Sequence, residues 1–202
     1  MKRFAAILAV LALVPALGGG AQASSDNQSA MFDYHISDAF IQSIGEPAQT
    51  GAKATATIGG DQVRVVGTGT FNTAAGRATG GGTFVHTNAG DVIVGFGTWT
   101  ATSLVSFTSY GCGVRGGEPV PANFCGGLAT MTVHISATLV NPAAGHVETD
   151  AILVVDCKLG TPPPTAHEGI KLDARPLAPN FDITNDSGHG ETLFLSRSHS
   201  GG

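Results

Sequence analysis

The stretch that decides the fold runs from residue 62 to residue 107: QVRVVGTGTFNTAAGRATGGGTFVHTNAGDVIVGFGTWTATSLVSF. Two turn sequences divide it, Thr73-Ala74-Ala75-Gly76-Arg77 and Asn88-Ala89-Gly90-Asp91. Between them lie runs rich in Val, Thr and aromatic residues, the composition of a pleated, half-buried surface. Strands are therefore expected over 62–72, 78–87 and 92–107, joined by short connections into an antiparallel β-meander. Inside it Gly-x-Gly-Thr-aromatic recurs three times, at Gly67–Phe71, Gly80–Phe84 and Gly95–Trp99. Folding the chain at its two turns puts Gly69 opposite about Gly81 and Gly81 opposite about Gly97, a column of glycines across three strands. Glycine weakens a strand interior, so such a column needs a cause. One cause is sharp bending of the sheet at the corner of a closed barrel. The other is a bare backbone surface that a ligand or a second element approaches closely. Bending is favoured, because closure is a general need of small β proteins.

The segments on either side agree. Ala52–Ile58 alternates with Thr and ends at the turn Gly59-Gly60-Asp61. Leu128–Val140 alternates cleanly, with Met131, Val133, Ile135, Ala137 and Leu139 on one face and Thr132, His134, Ser136 and Thr138 on the other. Asn141–Gly145 turns the chain and His146–Lys158 returns it as a hairpin partner. Gly111–Gly127 reads as a Gly- and Pro-rich loop, Thr161–Thr165 as a stiff linker, and Gly169–Leu172 as a short strand. A last hairpin is expected to pair Phe181–Thr184 with Glu191–Ser196. Residues 24–51 form a polar N-terminal segment, loose over 24–35, with Phe40, Ile41 and Ile44 in a helical turn or an edge strand. The expected architecture is all-β, one domain over 52–202, a single antiparallel β-barrel of about eight to ten short strands. A β-sandwich is the alternative.

Residues 1–23 have the form of a secretory leader. Lys2 and Arg3 precede an apolar run from Phe4 to Leu17, and Ala21-Gln22-Ala23 is a small-x-small cleavage signal. The run holds 14 residues and contains Pro15, whereas a spanning helix needs about 20. Cleavage after Ala23 leaves 179 of the 202 residues, enough to bury a core, and takes the formal charge from −5 to −7. A secreted or periplasmic location follows. Nucleic acid is excluded as a partner by the acidic balance, since it requires basic patches. No later segment is apolar enough for a membrane-spanning helix. The oligomeric state is not legible.

The three glycine repeats, with His86-Thr87 after the second and Ala101-Thr102 after the third, belong to a longer pattern. Phe124-Cys125-Gly126-Gly127, Glu168-Gly169-Ile170, Asn180-Phe181-Asp182 and Thr192-Leu193-Phe194 complete it. Over Ala52–Leu195 the chain resembles a group of small exported bacterial all-β proteins of unassigned function. The resemblance implies export and a β fold; it implies no chemistry and carries over no functional residue. The single barrel with glycine corners is also similar in architecture to the barrels of allene oxide cyclases and dirigent proteins, a likeness that does not transfer function.

Catalytic signatures are missing. There is no Gly-x-Ser-x-Gly elbow and no strand–Gly-rich turn–helix with Lys-Ser/Thr for phosphate. The loop from Asn180 to Glu191 is rich in oxygen donors, but counting from Asp182 it has Ser187 and Leu193 where an EF-hand needs Gly and Glu. Glu148 and Asp150 sit two apart on one strand face, the spacing of an exposed polar stripe. His146 shares that face, and His189-Gly190-Glu191 is the nearest thing to a metal motif. Zinc needs three or four converging ligands, so neither a metal nor another cofactor is expected. Asn185-Asp186-Ser187 is a sequon without meaning in a bacterial protein. The cysteines allow one disulfide and one structural thiol in an oxidising compartment. Cys112–Cys125 closes a small loop, worth about 3 kcal/mol in the chain-entropy model. The hairpin at 141–145 places Cys157 near Ala129 and so near Cys125. Cys125–Cys157 is favoured, with Cys112–Cys125 the alternative.

A barrel interior would gather Trp99, His86 and His134, the polar or aromatic strand residues placed to meet a ligand. The reading that results is a secreted, non-enzymatic β-barrel that binds a small apolar molecule or serves as a structural module. The alternative is a barrel enzyme of isomerase or cyclase type with polar groups in its cavity.

Overall fold

The computed structural model describes residues 30–45, 51–140, 144–182 and 192–197. The leader, His189, Glu191, His199 and the sequon lie outside them. The elements are β1 (Met31–Ile36), α1 (Ala39–Ser43), β2 (Ala52–Ala56), β3 (Gln62–Asn72), β4 (Arg77–Thr87), β5 (Ile93–Cys112) and β6 (Val114–Arg115). There follow β7 (Glu118–Pro119), β8 (Phe124–Leu139), β9 (Gly145–Cys157), β10 (Gly169–Asp173), β11 (Asn180–Asp182) and β12 (Thr192–Ser196). All but β6 and β7 join one antiparallel sheet in the order β1-β12-β8-β5-β4-β3-β2-β11-β10-β9. Two further pairings, β1–β3 and β8–β9, bring the ladder back on itself. This is possible because β3 and β8 each take two neighbours along one edge. On β3, β2 pairs with Gln62–Val65 and β1 with Gly67–Asn72. On β8, β12 pairs at Phe124 and Cys125, and β9 from Gly127 to Leu139.

The meander β3–β4–β5 forms with its turns where the sequence places them. Its register differs from the expectation: Gly69 faces Gly80, Gly67 faces Gly82, and Gly97 faces Phe84 rather than Gly81. The shift arises because the strand residues start at Arg77 and because a bulge at His86/Thr87 displaces β5. The glycines still form a floor. A Cβ on Gly69 would lie 2.0 Å from the Thr79 carbonyl oxygen and 2.5 Å from the Tyr34 hydroxyl oxygen. One on Gly67 would lie 2.3 Å from Cζ2 of Trp99. Backbone crowding and close approach of a second element therefore coincide.

Those two rings order the core. Tyr34, fully buried, donates to the Thr79 carbonyl at 3.0 Å, and Trp99 donates from Nε1 to the Val66 carbonyl at 3.2 Å. They stack on each other with centroids 6.2 Å apart. Phe71 continues the stack beside Tyr34 and meets Phe32, Phe107 and Phe194. Burial alternates along β8 as the sequence indicates, Met131, Val133, Ile135 and Ala137 in and His134 out.

Several expectations change. Met31–Ile36, within the segment read as polar and loose, is a strand of the same sheet, with Phe32, Tyr34 and Ile36 in the core. Strands are not uniformly short: β5 has 20 residues and β8 has 16. The loop expected over Gly111–Gly127 is mostly strand and the small β6–β7 hairpin, because three bulges let β5 follow β8 as far as Cys112. That extension decides the disulfide. Cys112 stands directly opposite Cys125, and the two are bonded, with Cα atoms 3.9 Å apart. Cys157 faces Gly127, one hairpin step from the predicted partner, and is a buried free thiol, so the Cys125–Cys157 pairing is corrected. Nor do β11 and β12 form a hairpin: β11 pairs with β2 and β10, β12 with β1 and β8.

Gly69→Ala should be costly, since its Cβ would meet backbone that cannot swing aside. A loss of roughly 1–3 kcal/mol is expected in urea unfolding; a change within the scatter of surface substitutions would show that the floor is not tight.

Candidate functional site

Trp99, His86 and His134 do not meet. Trp99 is 3% exposed and inside, with its one polar atom committed to Val66. His86 is half-buried on the inner face of β4; its Nε2 lies 3.0 Å from Asp61 Oδ2 and its ring stands edge-on to Phe181. His134 is on the outer face of β8. Between them lies a void of about 10 Å³, lined by Val65, Phe84, Trp99, Val133, Ile135, Leu153 and Leu172. That is at the lower limit for one water.

The polar chemistry gathers instead on the outer face of β8 and β9. The register puts His134 opposite Asp150 and Ser136 opposite Glu148. Nδ1 of His134 lies 2.9 Å from Asp150 Oδ1, and its Nε2 lies 2.7 Å from Glu148 Oε2. Glu148 Oε1 also accepts from Ser136 Oγ at 2.9 Å and meets His146 Nε2 at 2.7 Å. A ring held between two carboxylates is best satisfied as the imidazolium, with both nitrogens donating. The hydrogen bonds to Asp150 and Glu148 accordingly raise the His134 pKa, and those from His146, Ser136 and His134 lower that of Glu148. Ser136 donates to Glu148 and not to a histidine, so no activated nucleophile results.

Next to Asp150 an open groove of about 550 Å³ runs along Thr132, Ala151, Ile152, Asp173, Arg175 and Pro176. Arg175 grips Asp173 through two parallel bonds, Nε to Oδ1 at 2.8 Å and Nη2 to Oδ2 at 2.5 Å. The pair holds Asp173 down to about 2 and leaves the guanidinium no unspent charge.

Comparison of the chain with protein-family models, curated proteins and solved structures finds no match. The site must therefore be read from its own geometry. Among the described residues no three His, Cys, Asp or Glu side chains converge as metal ligands, and no helix is long and apolar enough to cross a membrane.

A second polar cluster was invisible in the sequence. Asp156 and Glu168, 4% and 6% exposed, lie under the chain between β9 and β10. Glu168 accepts from the backbone N–H groups of Lys158 and Thr192 and from the Thr192 hydroxyl, all within 2.9 Å. Asp156 accepts from the His167 N–H at 2.8 Å. Burial pushes Asp156 up, and burial with the neighbouring carboxylate pushes Tyr110 up to about 12. Burial also raises the Cys157 thiol, which keeps it protonated and inert. These acids tie β9, β10 and β12 together. The available signal was an acid inside the apolar run Ala151–Cys157.

The outer network has a pH signature. His134, with its folded pKa raised, adds stability below its ordinary value of 6.5 and loses it as pH rises through the folded value. Glu148, with its pKa lowered, adds stability above 4.5 and loses it as pH falls through its depressed value. NMR titration should place His134 above 6.5, and the stability advantage of the native chain over His134→Gln should shrink above that pH. An unshifted titration would mean that the bridge is not formed in solution.

Proposed function

We propose that this chain is an exported, non-enzymatic β-barrel module of structural type, with its contacts to other molecules made from the outer face. The observation that carries the reading is the tight packing of the described residues around Trp99. An enclosed site for a small molecule needs a pocket of about 300–1,000 Å³; the void beside Trp99 is about 10 Å³ and wholly apolar, and the groove of about 550 Å³ beside Asp150 is open to the surface. An isomerase or cyclase chemistry needs free polar groups inside; His134 lies on the outer face, and His86, on the inner face, has its Nε2 against Asp61.

Closure into one barrel is supported by the two pairings that bring the ladder back on itself and by the single core that its inner face encloses. Export is supported by the leader over residues 1–23 and by a disulfide, which persists in an oxidising compartment. The outer face of β8 carries Thr132, His134, Ser136 and Thr138, a polar stripe beside which β4, β5 and β9 expose Val85, Phe96, Val105 and Ile152.

Native mass spectrometry of the secreted protein, purified without denaturation, tests both parts. The expected result is a bare chain beginning at Ser24 with the mass of the denatured polypeptide. A co-purified small molecule, released on denaturation, would instead favour a binding protein.

A further inference from the structure

One strand edge is left open. β10 covers β9 only from Ile152 to Asp156, and then turns away. After Asp173 the chain enters a tight turn, with Leu177 and Ala178 donating back to the Ala174 carbonyl. Arg175 and Pro176 stand where a longer β10 would have continued, and the open groove marks that departure. From Gly145 to Ala151, β9 therefore pairs with β8 alone, and among the described residues its other edge has no backbone partner. The segment is regular: its pairing with β8 shows no bulge, and it contains no proline. Proteins usually blunt such edges with those devices, since an unpaired ladder recruits another strand.

We infer that this edge is an interface for a second copy of the chain, the two β9 strands pairing antiparallel about a two-fold axis. Directly opposed residues share a face, so only registers that match parity keep the core side together. Centring on Thr149 would set Glu148 against Asp150 of the other copy, two repulsive pairs. Centring on Glu148 would set that carboxylate against itself. Centring on Val147 sets His146 against Glu148 twice, with Val147 against Val147 on the core-facing side. This register alone faces each Glu148 with a histidine and sets no like pair. His146 uses only Nε2 for its own Glu148, so Nδ1 has no partner among the described residues and can donate across the axis. An isologous contact of this kind closes on itself and gives a dimer, not a filament.

The test is sedimentation and light scattering of the mature protein from micromolar to about millimolar concentration, with hydrogen exchange of β9 in parallel. A reversible dimer is expected, with the edge-facing amides of Gly145–Thr149 slowed as it forms. His146→Glu should weaken association by roughly tenfold, since it makes both pairs repulsive. His146→Glu combined with Glu148→Lys should restore it. Circular dichroism of each variant separates lost association from lost folding. A chain that stays monomeric throughout, or a dimer indifferent to His146→Glu or with β9 amides unslowed, overturns the inference.

Discussion

Two aromatic rings lying on bare backbone set the terms for the rest of the molecule. Tyr34 and Trp99 rest against Gly67, Gly69 and Gly80, each spending its polar atom on a carbonyl of the floor beneath or beside it. Any side chain on those glycines would lift the rings off the sheet. The same glycines let β3 and β4 approach so closely that a Cβ on Gly82 would fall 1.9 Å from the Val66 carbonyl oxygen. Curvature and packing thus share one cause, and the sheet can turn tightly enough for its pairings to meet again.

Three buried polar side chains are occupied, Tyr34 by Thr79, Trp99 by Val66, and Glu168 by backbone at the joints of β9, β10 and β12, whereas Oδ1 of Asp156 is buried without a hydrogen-bond partner among the described residues. What remains reactive in the ordinary sense is pushed outward, where His134 bridges Asp150 and Glu148 in water. Such a pairing orders a surface and responds to pH. Among the described residues, the edge of β9 from Gly145 to Ala151 is the stretch of that surface without a backbone partner.

Much of the fold is legible in the sequence where alternation is long. Leu128–Val140 is read correctly because seven or more residues keep one period, and the meander because its turns carry Gly, Asn and Asp. Met31–Ile36 alternates too, with Phe32, Tyr34 and Ile36 against Asp33 and His35, but six residues behind a polar stretch make a weak signal. The disulfide that forms, Cys112–Cys125, is the alternative in the sequence and not the favoured pairing, for a different reason: bulges at three places carry β5 to Cys112, and bulges leave no mark in composition. The site residues fare worst. Trp99, His86 and His134 are singled out as types that bind ligands, whereas only the register reveals that one lies in the core, one beside Asp61 and one on the outside. The His134–Glu148–Asp150 bridge depends on pairing across two strands, which spacing along the chain cannot show.

Trp99 is the only tryptophan in the chain, and this makes the central claim directly measurable. Its fluorescence and accessibility to acrylamide should be recorded on the folded and the unfolded protein. An indole held dry against the glycine floor should emit towards the blue and resist quenching until the chain unfolds. Emission from a wet indole, quenched freely in the native state, would contradict a filled interior and the account built on it.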